Sequence, residues 1–314
     1  MSRRTGHSGA GRVFLHSTSR AVRGGWLLSL AVALCLASWP GAAGAATPAP
    51  AASATAPASL RDAAVTANWA GYAASGTHFS RVLASWVEPV GACSNSKPGY
   101  SAFWIGLGGY SSSSQALEQT GTEVDCTSAG KPVYYAWYEL VPAAPVTLKI
   151  RIRSGDRIFA RVSASGRRVS LALHDATSGG QFDKGFTMNS PRPDTTSAEW
   201  ITEAPSVCNA FGNCDTLPLG DFAAVAFTDA SATNVSGHTG AINDRHWSHQ
   251  ALELQDQTGS LRPGRFPSPG AAAEALPGAL SSAGSAFGVS WQQITGSSAP
   301  TGGGPFPHFI IARR

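Results

Sequence analysis

Charged residues are scarce in this 314-residue chain, at 13%, about half of the ~25% usual for soluble domains. That scarcity excludes a coiled coil, a helical repeat array and an acidic disordered tail. No apolar run is long enough for a membrane-spanning helix, which needs ~20 residues; the longest, Trp26 to Trp39, falls short. The signatures of several common enzyme classes are missing too: no G-x-S-x-G elbow, no H-E-x-x-H, no Walker A loop and no G-x-G-x-x-G after a strand. There is no internal repeat.

Glycine and proline are plentiful, at 35 and 20, and 43% of residues are apolar, enough for a sizeable core. The 13 Phe, 9 Trp and 6 Tyr suit pleated, half-buried surfaces better than helices. Length alone suggests two domains, but all-β sandwiches of this size commonly form one.

Residues 1–45 carry Arg3, Arg4, Arg12, Arg20 and Arg23 without an acid, then the apolar run, then Ala43-Gly44-Ala45. This reads as a signal peptide cleaved near Ala46, with Cys35 discarded inside it. Its removal changes the balance from 23 basic against 19 acidic residues to 18 against 19. The apparent basic character is therefore mostly leader, and no basic surface remains for nucleic acid. A secreted chain is expected, with no membrane association after cleavage and no sign of an oligomer, so a monomer. Residues 46–64 are Ala/Pro-rich and read as a linker or pro-segment, and residues 294–314 as a flexible tail.

Four cysteines remain, an even count that implies disulfides in an exported protein, with three possible connectivities. Cys208 and Cys214 bracket a short Asn/Gly loop and are expected to pair, leaving Cys93 with Cys126. Closing the shorter loop contributes roughly 2 kcal/mol on chain-entropy grounds. Neither spacing is C-x₂-C, which argues against zinc. His246 and His249 are three residues apart without a carboxylate pattern and read as part of a polar loop, so no metal and no cofactor are expected.

From Val65 to about Gln292 the chain is a succession of strand signals separated by Gly, Pro, Asn and Ser clusters. Alternation is clearest at Leu148 to Arg153 and at Ile158 to Val162. Only Ala271 to Ala283 carries a helical pattern, interrupted by Pro277-Gly278. Many antiparallel strands without helices must bury their faces on another sheet. The expected fold is all-β, a two-sheet antiparallel β-sandwich of jelly-roll or concanavalin-like type, over residues 65–293.

A few amides and carboxylates lie inside these weakly charged strands. Gln119 lies in Leu117-Glu118-Gln119-Thr120-Gly121, Glu139 in Ala136-Trp137-Tyr138-Glu139, and Glu199 in Ala198-Glu199-Trp200-Ile201. With a period of two, Glu199 shares its face with Ile201 and Glu203, and Gln119 shares its face with Leu117 and Gly121. Position alone favours ordinary sheet-surface polar groups.

Together with Asn68-Trp69-Ala70-Gly71-Tyr72 and Phe103-Trp104-Ile105-Gly106-Leu107-Gly108-Gly109, these segments resemble the glutamic peptidases, the eqolisin family, in the same order along the chain. The resemblance implies a two-sheet sandwich and an acid endopeptidase acting on polypeptides. It assigns a catalytic Gln/Glu dyad to Gln119 and Glu199, and substrate-cleft positions to Trp104 and Glu139. Gly108 departs from the family pattern, where fungal members carry Asp. The chemistry is coherent in itself: a carboxylate can take a proton from water, while an amide offers N–H to the developing oxyanion and C=O to the same water. Two other readings compete. A jelly-roll glycoside hydrolase would use Glu139 and Glu199 as its acid pair, about 5 to 9.5 Å apart. A carbohydrate-binding module would need Trp104, Trp137 and Tyr138 as an exposed platform.

Overall fold

The computed structural model describes residues 62–94, 98–208, 214–255 and 273–293, which all belong to one unit. The expected leader and tail, and most of the Ala/Pro segment, lie outside these residues. Eighteen strands account for nearly all the regular structure: β1 (Ala64–Thr66), β2 (Trp69–Ser75), β3 (Phe79–Val87), β4 (Gly99–Gly108), β5 (Leu117–Cys126), β6 (Pro132–Leu140), β7 (Val146–Thr147), β8 (Arg157–Ser165), β9 (Arg168–Asp175), β10 (Gln181–Thr187), β11 (Ser197–Glu203), β12 (Ser206–Cys208), β13 (Cys214–Thr216), β14 (Ala224–Asn234), β15 (Thr239–Gly240), β16 (Ser248–Gln255), β17 (Ala273–Pro277) and β18 (Phe287–Gln293). The described residues contain no helix.

The strands form one continuous ladder, β10-β9-β8-β3-β14-β18-β17-β16-β2-β11-β4-β5-β6-β7, antiparallel along its length, with β1 added in parallel on β16 and β15 on β14. β12 and β13 form a separate ribbon. The ladder folds over so that its β10-to-β18 half lies on its β16-to-β6 half. Contacts between the halves show this: the Trp200 indole on β11 donates to Leu83 O on β3 at 3.0 Å, and Trp86 on β3 donates to Thr122 Oγ1 on β5 at 3.0 Å. Tyr138 on β6 stacks on Phe182 of β10. Between the layers sit Phe79, Trp86, Phe103, Ile105, Leu107, Trp200 and Phe227. The architecture is the expected antiparallel β-sandwich.

Both expected disulfides are present, Cys93–Cys126 and Cys208–Cys214. Three local expectations fail. The helical pattern over Ala271 to Ala283 gives a strand from Ala273, because each residue from Ala273 to Pro277 is paired with β18. Residues 148–153 keep their alternation in burial, with Leu148 and Ile152 inside and the charged residues outside, yet ladder pairing stops at Thr147. Strand pairing starts at Ala64, one residue inside the segment allotted to the linker.

Candidate active site

The strand registers place a row of residues straight across the second layer. Glu199 on β11 is opposite Gly106 on β4, Gly106 is opposite Gln119 on β5, and Gln119 is opposite Glu139 on β6. Directly opposed residues share a face, so Glu199, Gln119 and Glu139 project to the same side. Two strand spacings separate the Gln119 and Glu199 backbones, about 10 Å. The position between them is a glycine, which contributes no side chain of its own, and the space beside it is bordered by Leu117 and Trp104. A Cβ on Gly106 would come within 2.9 Å of Leu117 and 3.0 Å of Trp104.

This face is turned away from the sandwich core. Its apolar members are Trp69, Ala73, Trp104, Leu117, Trp137 and Ile201, a cluster distinct from the inter-sheet one. Trp69 and Trp104 meet edge to face at 5.0 Å. Glu203 holds both ends of this arrangement, accepting from the Trp104 indole at 2.7 Å and from the Asn68 amide at 3.1 Å. Sequence reasoning had placed Glu203 on the face of Glu199 without giving it a task; Trp104 is oriented by it.

Gln119 and Glu199 are 1% and 0% exposed. The Gln119 amide donates to Glu139 Oε2 at 2.7 Å, which fixes the amide orientation and leaves Oε1 without a protein hydrogen bond. Neither Glu199 oxygen has a well-formed bond to the protein. Three buried oxygens without partners, on two side chains facing one gap, are an exception to the rule that interior polar groups are satisfied. Burial pushes the Glu199 carboxyl well above its ordinary value; the nearby Ser197 hydroxyl opposes this, and the Asp194 and Glu118 carboxyls add to it. The Tyr110 phenol is raised by burial and by the adjacent Glu199 charge.

Asp194 and Tyr110 were not singled out from the sequence. Asp194 lies in the loop before β11, where its carboxylate accepts from Ser114 Oγ of the β4–β5 loop and from the Thr196 backbone and hydroxyl at 2.9 and 2.7 Å. Gly108 makes room for it: its φ is +81°, and an added Cβ would come within 2.6 Å of the Asp194 Cβ. The only local signal was Asp-Thr-Thr-Ser ahead of a strand, which reads as a turn.

The competing sugar readings lose their geometry here. The Glu139 and Glu199 backbones are three strand spacings apart, about 14 Å, with Gln119 between them, and the Glu139 carboxylate is engaged by Gln119. Trp104 and Trp137 are buried, and Tyr138 faces the other layer, so these three make no exposed platform. His246 and His249 do not converge either: His249 lies on β16 beside Tyr72, whereas His246 bonds to Asp244.

The Peptidase A4 family model matches residues 67–260, the stretch that holds every strand of this row. This chain belongs to the peptidase A4 family. It is a glutamic-type endopeptidase. Among solved structures it is similar to scytalido-glutamic peptidase with a transition state analog inhibitor, at 27% identity and a TM-score of 0.57, covering 72% of this chain and 98% of that one. SCP-B, a member of the eqolisin family of peptidases in complex with the tripeptide Ala-Ile-His, is similar at 26% identity and a TM-score of 0.54 over the same shares. No curated protein matches the chain.

Proposed function

We propose that this A4-family peptidase is a secreted acid endopeptidase in which Gln119 and Glu199 form the catalytic dyad and Trp104 and Glu139 line the substrate cleft. The observation that carries this reading is the pair of buried, same-face side chains whose unpartnered oxygens flank the gap over Gly106. Glu199, once ionised, takes a proton from the attacking water. The Gln119 carbonyl orients that water, and its second N–H donates to the oxyanion while the first stays on Glu139. Protonated Glu199 then returns its proton to the leaving amine. The two relatives above are described with a peptide-based transition state analog and with the tripeptide Ala-Ile-His, which supports a polypeptide lying across this face.

Glu139 is a positioning residue in this scheme, because it selects which end of the Gln119 amide faces the gap. Burial raises the Glu199 pKa well above its ordinary value, which makes it a stronger base when ionised. The leader over residues 1–45, the Ala/Pro segment up to residue 64 and the catalytic domain over residues 65–293 make up the proposed processing order.

The test is cleavage of a denatured protein from pH 2 to 7 by the mature chain, beside Glu199→Gln and Gln119→Ala. Both variants should keep the native circular dichroism spectrum and lose turnover. Full activity in either folded variant removes the dyad.

A further inference from the structure

We propose that His238, Asp244 and His246 form a binding site for a divalent transition-metal ion of the zinc class, separate from the peptidase centre. These residues come from two segments, His238 just ahead of β15 and the other two from the turn between β15 and β16. One ligand atom from each lies within 4.8 Å of the others. His238 Nε2 is 3.1 Å from one Asp244 oxygen and His246 Nδ1 is 2.7 Å from the other. The two imidazoles lie over each other at 3.8 Å between centroids. For ligands at about 2.0–2.1 Å from zinc in a tetrahedral site, donors on neighbouring corners are roughly 3.3–3.4 Å apart, so the two Asp244 contacts, hydrogen bonds as they stand, need to lengthen by only a few tenths of an ångström to admit an ion. Two imidazoles and one carboxylate, with a corner left for solvent, is a donor set that favours zinc or copper over magnesium or calcium.

The framework holding these ligands is buried although the ligands themselves are partly open to solvent. Ile242 is fully buried, its backbone N–H donates to Gly284 O, and its own carbonyl accepts from the Trp247 indole at 3.0 Å. Trp247 packs edge to face on Phe79 and also against the His238 ring. The His238 backbone N–H is tied to the Asn234 side chain at 3.0 Å, and that of His246 to Asp244 Oδ1 at 2.9 Å. Asp244 occupies the space that a side chain at Gly240 would need. The ligands are thus set by packing on both sides, as a site with a pre-formed geometry requires. His249, five residues past Asp244, is outside the group.

The experiment is calorimetric titration of the untagged mature chain, first treated with chelator, with ZnCl₂ at pH 7.5, where free imidazoles are unprotonated. The account expects one ion per chain, a higher Tm with zinc than without, and no comparable response to MgCl₂ or CaCl₂. His238→Ala and His246→Ala should each weaken zinc binding at least 10-fold and abolish the Tm rise, while His249→Ala leaves both unchanged. His246→Gln serves if the alanine variant fails to fold. Absence of saturable zinc binding, or binding that survives both His238→Ala and His246→Ala, overturns the proposal.

Discussion

The two faces of β4, β5 and β11 are built from alternate residues of the same strands and could hardly differ more. One face sends Phe103, Ile105, Leu107 and Trp200 into the sandwich, where the Trp200 indole N–H finds a carbonyl and Glu118, opposite Leu107, is the single acid these three strands contribute. The other sends Trp104, Gln119, Glu199 and Glu203 into a second buried cluster, in which Glu203 is held by Trp104 and Asn68 while the Glu199 oxygens have no hydrogen-bond partner. Burial of an unpartnered carboxyl costs stability, and the protein keeps it neutral by raising its pKa. The first face explains why the sheet exists. The second, being a poor solution for stability alone, is where the proposed chemistry lies.

The contrast can be broken by substitution. On the polar face, Glu199→Gln should lower kcat by about 10²–10⁴-fold, the usual loss for a general base, with Tm unchanged or higher because a buried acid is removed. Steady-state kinetics with thermal melting separates the two effects. On the apolar face, Phe103→Ala should do the reverse, costing about 3–5 kcal/mol of stability while the fraction still folded retains its turnover. Denaturant titration beside active-site counting checks this. If Glu199→Gln unfolds the protein, or Phe103→Ala spares its stability, the division of labour between the faces is wrong.

Acid content gives the next effect. Burial pushes Glu88 up to about 8, and Glu118, Glu199 and Glu203 are likewise raised by burial. A carboxyl raised by folding holds more protons in the native state than in the unfolded one. Between the ordinary value near 4.5 and about 8, stability therefore falls as pH rises, and it is fully present below that window. Tm should drop by several degrees from pH 4 to pH 8, and Glu88→Gln should flatten the slope; a Tm that climbs over this range would contradict the buried-acid account. The smallest effect belongs to Asp194. Removing its charge with Asp194→Asn should move the acid limb of kcat/KM, which reports Glu199 in the free enzyme, downward by less than about one pH unit. An unmoved limb would mean that Asp194 only supports its loop.

Much of this was readable beforehand because a period of two carries face information. The alternation in Ala198-Glu199-Trp200-Ile201 already separates Glu199 from Trp200, and the ladder puts Ile201 and Trp200 in different clusters as that period requires. The cysteine pairs followed from spacing. His249 reads as part of a polar loop, yet it lies on β16, because Ser248-His249-Gln250 opens that strand with polar residues that resemble the preceding turn. β17 carries a helical pattern because the segment around Ala271 to Ala283 is alanine-rich, and its pairing with β18 and β16 overrides that preference. Asp194 and the His238–Asp244–His246 group were illegible for another reason: each depends on a glycine distant or local in sequence, Gly108 or Gly240, leaving space for a side chain that periodicity does not describe.

The central claim is that Gln119 and Glu199 act on one water rather than separately, and a double-mutant cycle in kcat addresses it most directly. Groups that act as a unit are strongly non-additive. The account predicts that Gln119→Ala combined with Glu199→Gln, in folded protein, is no slower than the worse single variant by more than a few-fold. Losses that multiply through the cycle would show two independent contributions and contradict it.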